Sequence, residues 1–306
     1  MARPGVIVIA ALLALIAAPA MSQARGQAPA GPTVAEEGSA YYGFEHLSVP
    51  SRDGARLYRV RIATPKKAPP AQGYPVVYLL DGDAALARIS EPLLARLDAG
   101  DPPVIVAVGY EGDRQFDVLA RALDYTPAAP DGRPVADPAG RPGGGADAFL
   151  DVLEGEIAQA AQGRAALDPH RRAIWGHSYG GLCVLHAALT RPASFDAYYA
   201  ASPSLWWNYG SVLEEVDPFL AAPPPAGLRL TLMSGGEEVA GRSAGRRTHP
   251  MWSSVPSSAI RTLAERLEAA GVTARYEELP GLGHGPMLGA SLERALLSIA
   301  GVASAA

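Results

Sequence analysis

Residues 171–190, RRAIWGHSYGGLCVLHAALT, decide the reading of this chain. Gly176-His177-Ser178-Tyr179-Gly180 fits the pattern Gly-x-Ser-x-Gly. The five letters carry little by themselves; the flanks carry more. Ala173-Ile174-Trp175 reads as a short buried strand, and Gly181 to Leu189 as an apolar helix. A serine at such a strand-to-helix bend is lifted clear of the sheet in a strained backbone conformation. Glycines two residues to either side let the bend close without Cβ collisions. The helix that follows points its positive end at the serine and favours negative charge there. Ser178 is therefore the candidate nucleophile; a plain glycine turn is the alternative.

Outward from the elbow, strands alternate with helices. Upstream, Phe44 to Val49 and Arg56 to Ile62 alternate around the turn signal Ser51-Arg52-Asp53-Gly54, which predicts a hairpin. Pro75 to Leu80 and Val104 to Val108 are near-continuous apolar runs, as expected of strands covered on both faces. Ala84 to Leu97 and Ala146 to Ala161 fit helices. Between them lies a long irregular stretch, Gly109 to Gly145, rich in Pro and Gly from Pro127 onward, and such loops inside domains tend to be functional or disordered. Downstream, strands are expected over Phe195–Ala201, Leu228–Met233 and Thr273–Leu279, and helices over Ser257–Ala270 and Met287–Ile299, with Pro280 to Gly285 as a loop. The pattern predicts an α/β fold: a mostly parallel central sheet with helices on both faces and an N-terminal hairpin.

The chain has 306 residues, is 48% hydrophobic and 19% charged, and carries a net charge of −5, so no basic footprint points to nucleic acid. Arg3 followed by the apolar run Val6 to Ala18 reads as a secretory leader, with small-residue cleavage sites at Ala18-Pro19-Ala20 and Ser22-Gln23-Ala24. The expected organisation is a leader over 1–24, a mobile arm over 25–41 and one domain over 42–302, exported to the periplasm with the leader cleaved or kept as an anchor. The single cysteine, Cys183, sits among apolar residues of the elbow helix and reads as core. No Cys/His spacing suggests a metal, and no cofactor is expected.

A serine hydroxyl needs a base to take its proton. In a fold of this kind the partners follow in the order nucleophile, acid, histidine. Of the six histidines, His284 lies in a glycine-rich loop after the last strand and is the candidate base. His46, His170, His177, His186 and His249 are poorly placed by sequence. The acid should follow the preceding strand, where Ser234-Gly235-Gly236-Glu237-Glu238 offers Glu238, with Glu237 in reserve; a Ser–His pair without a carboxylate stays open. An oxyanion hole needs two preorganised amides. Tyr179, next to the nucleophile, supplies one, and the Asp81-Gly82-Asp83 loop supplies the other, with Asp83 preferred.

Several further segments fit one pattern together. Val77-Tyr78-Leu79-Leu80-Asp81-Gly82 resembles the putative-esterase branch of the α/β-hydrolases. Gly109-Tyr110, Phe116-Asp117, Arg121-Ala122-Leu123-Asp124-Tyr125-Thr126-Pro127, Gly144 to Phe149, Ser202-Pro203-Ser204-Leu205-Trp206-Trp207 and Gly283-His284-Gly285 resemble the siderophore-esterase group within it. The resemblance covers about residues 42–300, and the RxxDYTP and SPSxWW segments are more specific than the elbow. It implies a periplasmic serine esterase that opens trilactone siderophores of the enterobactin or salmochelin type, with Ser178 and His284 matching nucleophile and base. Some members lack a well-placed acid. The Ala128–Arg141 tract is longer than that group's pattern, which leaves the pocket lid and the substrate open. Another ester or acyl-transfer substrate on the same fold is the alternative, and a non-catalytic binding protein a third.

A triscatecholate ester is aromatic, and anionic when loaded with iron. Arg121, Tyr125, Trp206 and Trp207 are accordingly candidate substrate contacts, by stacking or by charge. Arg242, Arg246 and Arg247 could also meet negative charge. Each has a bland counterpart: paired tryptophans serve as core plus rim, loop arginines are solvated, and Arg121 and Asp124 are spaced to pair with each other.

Overall fold

Apolar runs without alternation need cover on both faces, and the computed structural model, which describes residues 31–240 and 249–303, provides it. Eight strands form one sheet in the order β1-β2-β4-β3-β5-β6-β7-β8. The hairpin β1 (Tyr42–Pro50) and β2 (Leu57–Pro65) is antiparallel, and β2 pairs antiparallel with β4 (Val104–Tyr110). From there on β3 (Tyr74–Leu80), β5 (Leu167–His177), β6 (Ala197–Ala201), β7 (Arg229–Gly235) and β8 (Thr273–Leu279) run parallel. Every residue of β3 and β4 is buried.

Alternate residues of each strand feed two cores. Val76, Tyr78, Leu80 and Ile174 face one side, against helix α2 (Ala146–Val152), the elbow helix α3 (Tyr179–Thr190) and α4 (Ala259–Ala269). Val77, Leu79 and Trp175 face the other, against α1 (Glu91–Asp98) and the final helix α5 (His284–Ile299). The elbow helix is buried along nearly its whole length, Cys183 included, as its all-round apolar sequence requires.

Three elements depart from the sequence reading. The helix expected over 84–97 is two pieces, Gly82–Leu86 and α1, because Ser90 caps a fresh start with Pro92 in its first turn. The last helix begins at His284 rather than Met287, so the histidine opens a helix instead of riding a loop. The arm expected over 25–41 is bound to the body from Thr33. A capped helical turn, Val34–Glu37, buries Val34, and Glu36 pairs with Arg61 at 2.9 Å. The leader lies outside the described residues. Among the described residues, no helix is long and apolar enough to cross a membrane.

Candidate active site

All the parallel strands end at one rim, and the bend after β5 carries Ser178 there. Its φ of 62° and ψ of −114° are a strained conformation for a residue with a side chain. Gly176 and Gly181 are sterically required, whereas a Cβ on Gly180 would meet only ordinary contacts, the nearest at 3.4 Å. A Cβ on Gly176 would collide with the Gly180 carbonyl, and one on Gly181 would lie 2.5 Å from the Ala201 carbonyl oxygen. The Ser178 amide donates to Ala201 O at 2.9 Å, which ties the elbow to β6.

The three candidate catalytic side chains meet. The Ser178 hydroxyl lies 3.1 Å from His284 Nε2, and His284 Nδ1 lies 2.7 Å from Glu238 Oε2. Glu238 occupies the short turn Gly236–Val239 directly after β7, and its other oxygen accepts from the Ser202 hydroxyl at 2.7 Å and the Gly235 amide at 3.1 Å. Burial alone would raise the Glu238 carboxyl. The hydrogen bonds and charge of His284, with the bonds from Ser202 and Gly235, outweigh burial and hold it below the usual carboxylate range. An ionised Glu238 accepts, so Nδ1 carries the imidazole proton and Nε2 is free to accept from Ser178.

Tyr179 opens the elbow helix and Asp83 is the second residue of the turn Gly82–Leu86, so neither amide has an acceptor within its own helix. The Asp81 amide is taken up by the Tyr125 hydroxyl at 3.1 Å. The Asp83 carboxylate turns away to Arg59 and Arg61.

Two of the four expected substrate contacts are core residues instead. Tyr125 is fully buried and its hydroxyl serves Asp81. Trp207 is fully buried and donates its indole N–H to Pro127 O at 3.1 Å. Arg121 does not pair with Asp124 and offers no free charge: it grips Asp81 with two bonds of 2.9 and 2.8 Å. Asp124 pairs with Arg56 and Tyr58. Arg242, Arg246 and Arg247 lie outside the described residues.

Trp206 remains at the site. It is half-buried, its ring centroid is 5.7 Å from Tyr179 and 6.3 Å from Trp252, and it lines a cleft of about 330 Å³ with Leu205, Trp252, Val255 and Ile260. Glu238 and His284 form part of the same wall. An apolar, aromatic cleft that opens on a hydroxyl–imidazole–carboxylate chain is built to take an apolar or aromatic ligand group beside a reacting centre.

Sequence reasoning missed Trp252, Asp137 and the contact between His177 and His284. Asp137 lies in the long Pro/Gly-rich tract. Its buried carboxylate accepts from the Tyr179 hydroxyl at 2.9 Å, from Arg141 Nε at 2.6 Å and from the amides of Ala139 and Arg141. The tract is thereby pinned to the residue that follows Ser178. Burial would raise the Asp137 carboxyl, but these donors hold it below its usual range. An acidic residue inside a glycine-rich loop was the one available signal.

The chain is similar to known proteins along most of its length. Residues 53–298 match the family model described as "Putative esterase". The chain is 42% identical over 279 residues to the apo-salmochelin esterase of Escherichia coli O6:H1, covering 89% of this chain and 84% of that one. It is 31% identical over 270 residues to the ferri-bacillibactin esterase BesA of Bacillus subtilis, covering 83% and 88%. Among solved structures, the enterobactin hydrolase IroE in complex with DFP is similar with a TM-score of 0.73 and 39% identity, covering 88% of this chain and all of that one.

Proposed function

The chain belongs to the putative esterase family and is a carboxylic ester hydrolase of the serine type; from that premise we propose that Ser178 cleaves the ester bonds of a trilactone siderophore through an acyl-enzyme. The observation that carries the proposal is the hydrogen-bonded chain Ser178–His284–Glu238 at the edge of an aromatic cleft. The relatives' substrates, salmochelin and bacillibactin, supply the substrate class.

In this reading His284 Nε2 takes the Ser178 proton as the oxygen attacks the ester carbonyl. Glu238 holds the proton on Nδ1 and balances the imidazolium that forms. The tetrahedral oxyanion is received by the amides of Tyr179 and Asp83. Collapse expels the alcohol, which takes the proton from His284. Water then repeats the sequence on the acyl-enzyme, releasing the acid and restoring Ser178. Trp206 and Trp252 flank the ring of an aromatic acyl substituent. The ferri-bacillibactin relative supports including an iron-loaded siderophore among the candidate substrates, and the apo-salmochelin relative an iron-free one. The leader-like run Val6 to Ala18 supports placing the reaction in the periplasm.

The test compares hydrolysis of an enterobactin-type trilactone with that of small aryl and sugar acyl esters, with Ser178→Ala and His284→Ala as controls. Loss of trilactone cleavage in both folded variants supports the proposal. Full turnover by Ser178→Ala would end it. A preference of several orders of magnitude for the small esters would move the protein to another substrate on the same machinery.

A further inference from the structure

We infer that His177, the residue before the nucleophile, is a positioning residue that keeps the His284 ring in its working plane while Ser178 is acylated. The inference rests on the proposed roles of Ser178 and His284. His177 is buried at the end of β5, and its Nε2 has no hydrogen-bond partner. A buried polar atom without a partner is a cost that an aliphatic side chain would avoid. The ring also hydrogen-bonds the His284 main chain and packs its face against the His284 imidazole, with centroids 4.6 Å apart and planes 43° apart. Burial foremost, then the charges of His284 and Arg121, holds the His177 imidazole well below the usual histidine range, so it is neutral and does not repel an imidazolium beside it.

In the resting site the His284 ring is held at both nitrogens, by Glu238 at 2.7 Å and by Ser178 at 3.1 Å. Acylation removes the second anchor, because the Ser178 oxygen is then bound to the acyl carbon and has no hydrogen to donate. Nε2 must next take a proton from water while the water oxygen attacks the acyl carbonyl. When that intermediate collapses, the Ser178–acyl bond breaks, the proton passes to the Ser178 oxygen and the carboxylic acid leaves. Through that half-reaction the ring is restrained by Glu238 at one nitrogen and by the face of His177. Removing the face frees the ring to pivot and harms deacylation more than acylation.

The kinetic signature follows from the two-step scheme. kcat/KM contains only binding and acylation, whereas slow deacylation lowers kcat and KM together. The experiment uses His177→Ala, His177→Leu and His177→Phe in the full chain, with p-nitrophenyl butyrate as substrate. Rates are expressed per fluorophosphonate-titrated site, so that a partly unfolded preparation does not imitate the effect. For Ala and Leu, kcat should fall about 10- to 100-fold, the usual scale for a misplaced catalytic group, with KM falling alongside and kcat/KM held within about threefold. Butyryl adduct on Ser178 should accumulate in acid-quenched samples. Phe, which keeps a flat ring there, should recover most of kcat.

Unchanged kinetics in Ala and Leu would overturn the inference. So would an equal loss in kcat and kcat/KM, or a Phe variant no better than Leu. Ser178→Ala, run beside them, separates the two failures. If it still turns over substrate, the catalytic reading itself is wrong; if it is dead while the His177 variants are normal, only the role of His177 is.

Discussion

Replacing Glu238 by glutamine should be more damaging than replacing it by alanine, although glutamine is the closer mimic. The two Glu238 oxygens have different partners. Oε1 accepts from the Ser202 hydroxyl and from the Gly235 amide, and Oε2 faces His284 Nδ1. A main-chain N–H cannot reverse its role, so a glutamine at this position keeps its carbonyl oxygen toward Gly235. Its NH2 then points at His284 Nδ1. That nitrogen is forced to accept, the proton moves to Nε2, and Nε2 can no longer take the Ser178 proton. Alanine only removes a charge-assisted hydrogen bond worth about 1.5–3 kcal/mol, and water can enter the space. At about 1.4 kcal/mol per factor of ten, Glu238→Ala should lose roughly 10- to 100-fold in kcat/KM. Glu238→Gln should lose roughly 1,000- to 10,000-fold, the scale of other amide-for-carboxylate exchanges behind a catalytic imidazole. Hydrolysis of a p-nitrophenyl ester and the rate of fluorophosphonate labelling both report this. A glutamine variant as active as the alanine variant would refute the tautomer argument.

Other outcomes follow from the packing. His186 Nδ1 lies 2.8 Å from Glu215 and its Nε2 lies 3.5 Å from Asp147. Burial would lower the imidazole, but these carboxylates push it up to about 9. The folded state therefore binds the proton more tightly than the unfolded chain. The gain is complete below about pH 6.5, at most about 3 kcal/mol, and disappears as pH rises through about 9. Asp147 is itself lowered to about 2, by the His186 contact and by Arg191, and that contribution is lost only in acid, outside this window. Urea midpoints should fall between pH 7 and 10 in the native protein and stay flatter in His186→Gln. Trp207→Ala should destabilise by about 3–5 kcal/mol in denaturant titrations, whereas the half-buried Trp206→Ala should leave stability nearly unchanged and raise KM for aromatic esters. Gly181→Ala should abolish labelling of Ser178, because its Cβ would force the elbow away from β6.

How much of this was legible in sequence divides along physical lines. Strands β3 and β4 were readable because burial on both faces leaves an uninterrupted apolar run, and β8 because Ala274 and Tyr276 alternate with outward polar residues before Leu279 turns to the opposite core. The break between Leu86 and Glu91 was not readable from periodicity, since Leu86, Ile89, Leu93, Leu94 and Leu97 continue one apolar face across it. Only the Ser90 cap and Pro92 marked the restart. The candidate site was legible where chain order constrains it: Ser178 after β5, Glu238 after β7 and His284 after β8, three side chains that meet. The substrate contacts were not. An aromatic side chain in a motif does not reveal which way it points, and Tyr125 and Trp207 turned inward to hold Asp81 and Pro127. The link between Asp137 and Tyr179 joins residues far apart in sequence, in a loop with no period to read.

On this mechanism the Ser178 hydroxyl is a nucleophile only because His284 takes its proton. Treating the native protein and His284→Ala with a fluorophosphonate, then locating the adduct by peptide mass spectrometry, tests it directly. One adduct is expected, on Ser178, formed at least about 1,000-fold more slowly without the imidazole. Labelling at another residue, or at an undiminished rate in the variant, would contradict it.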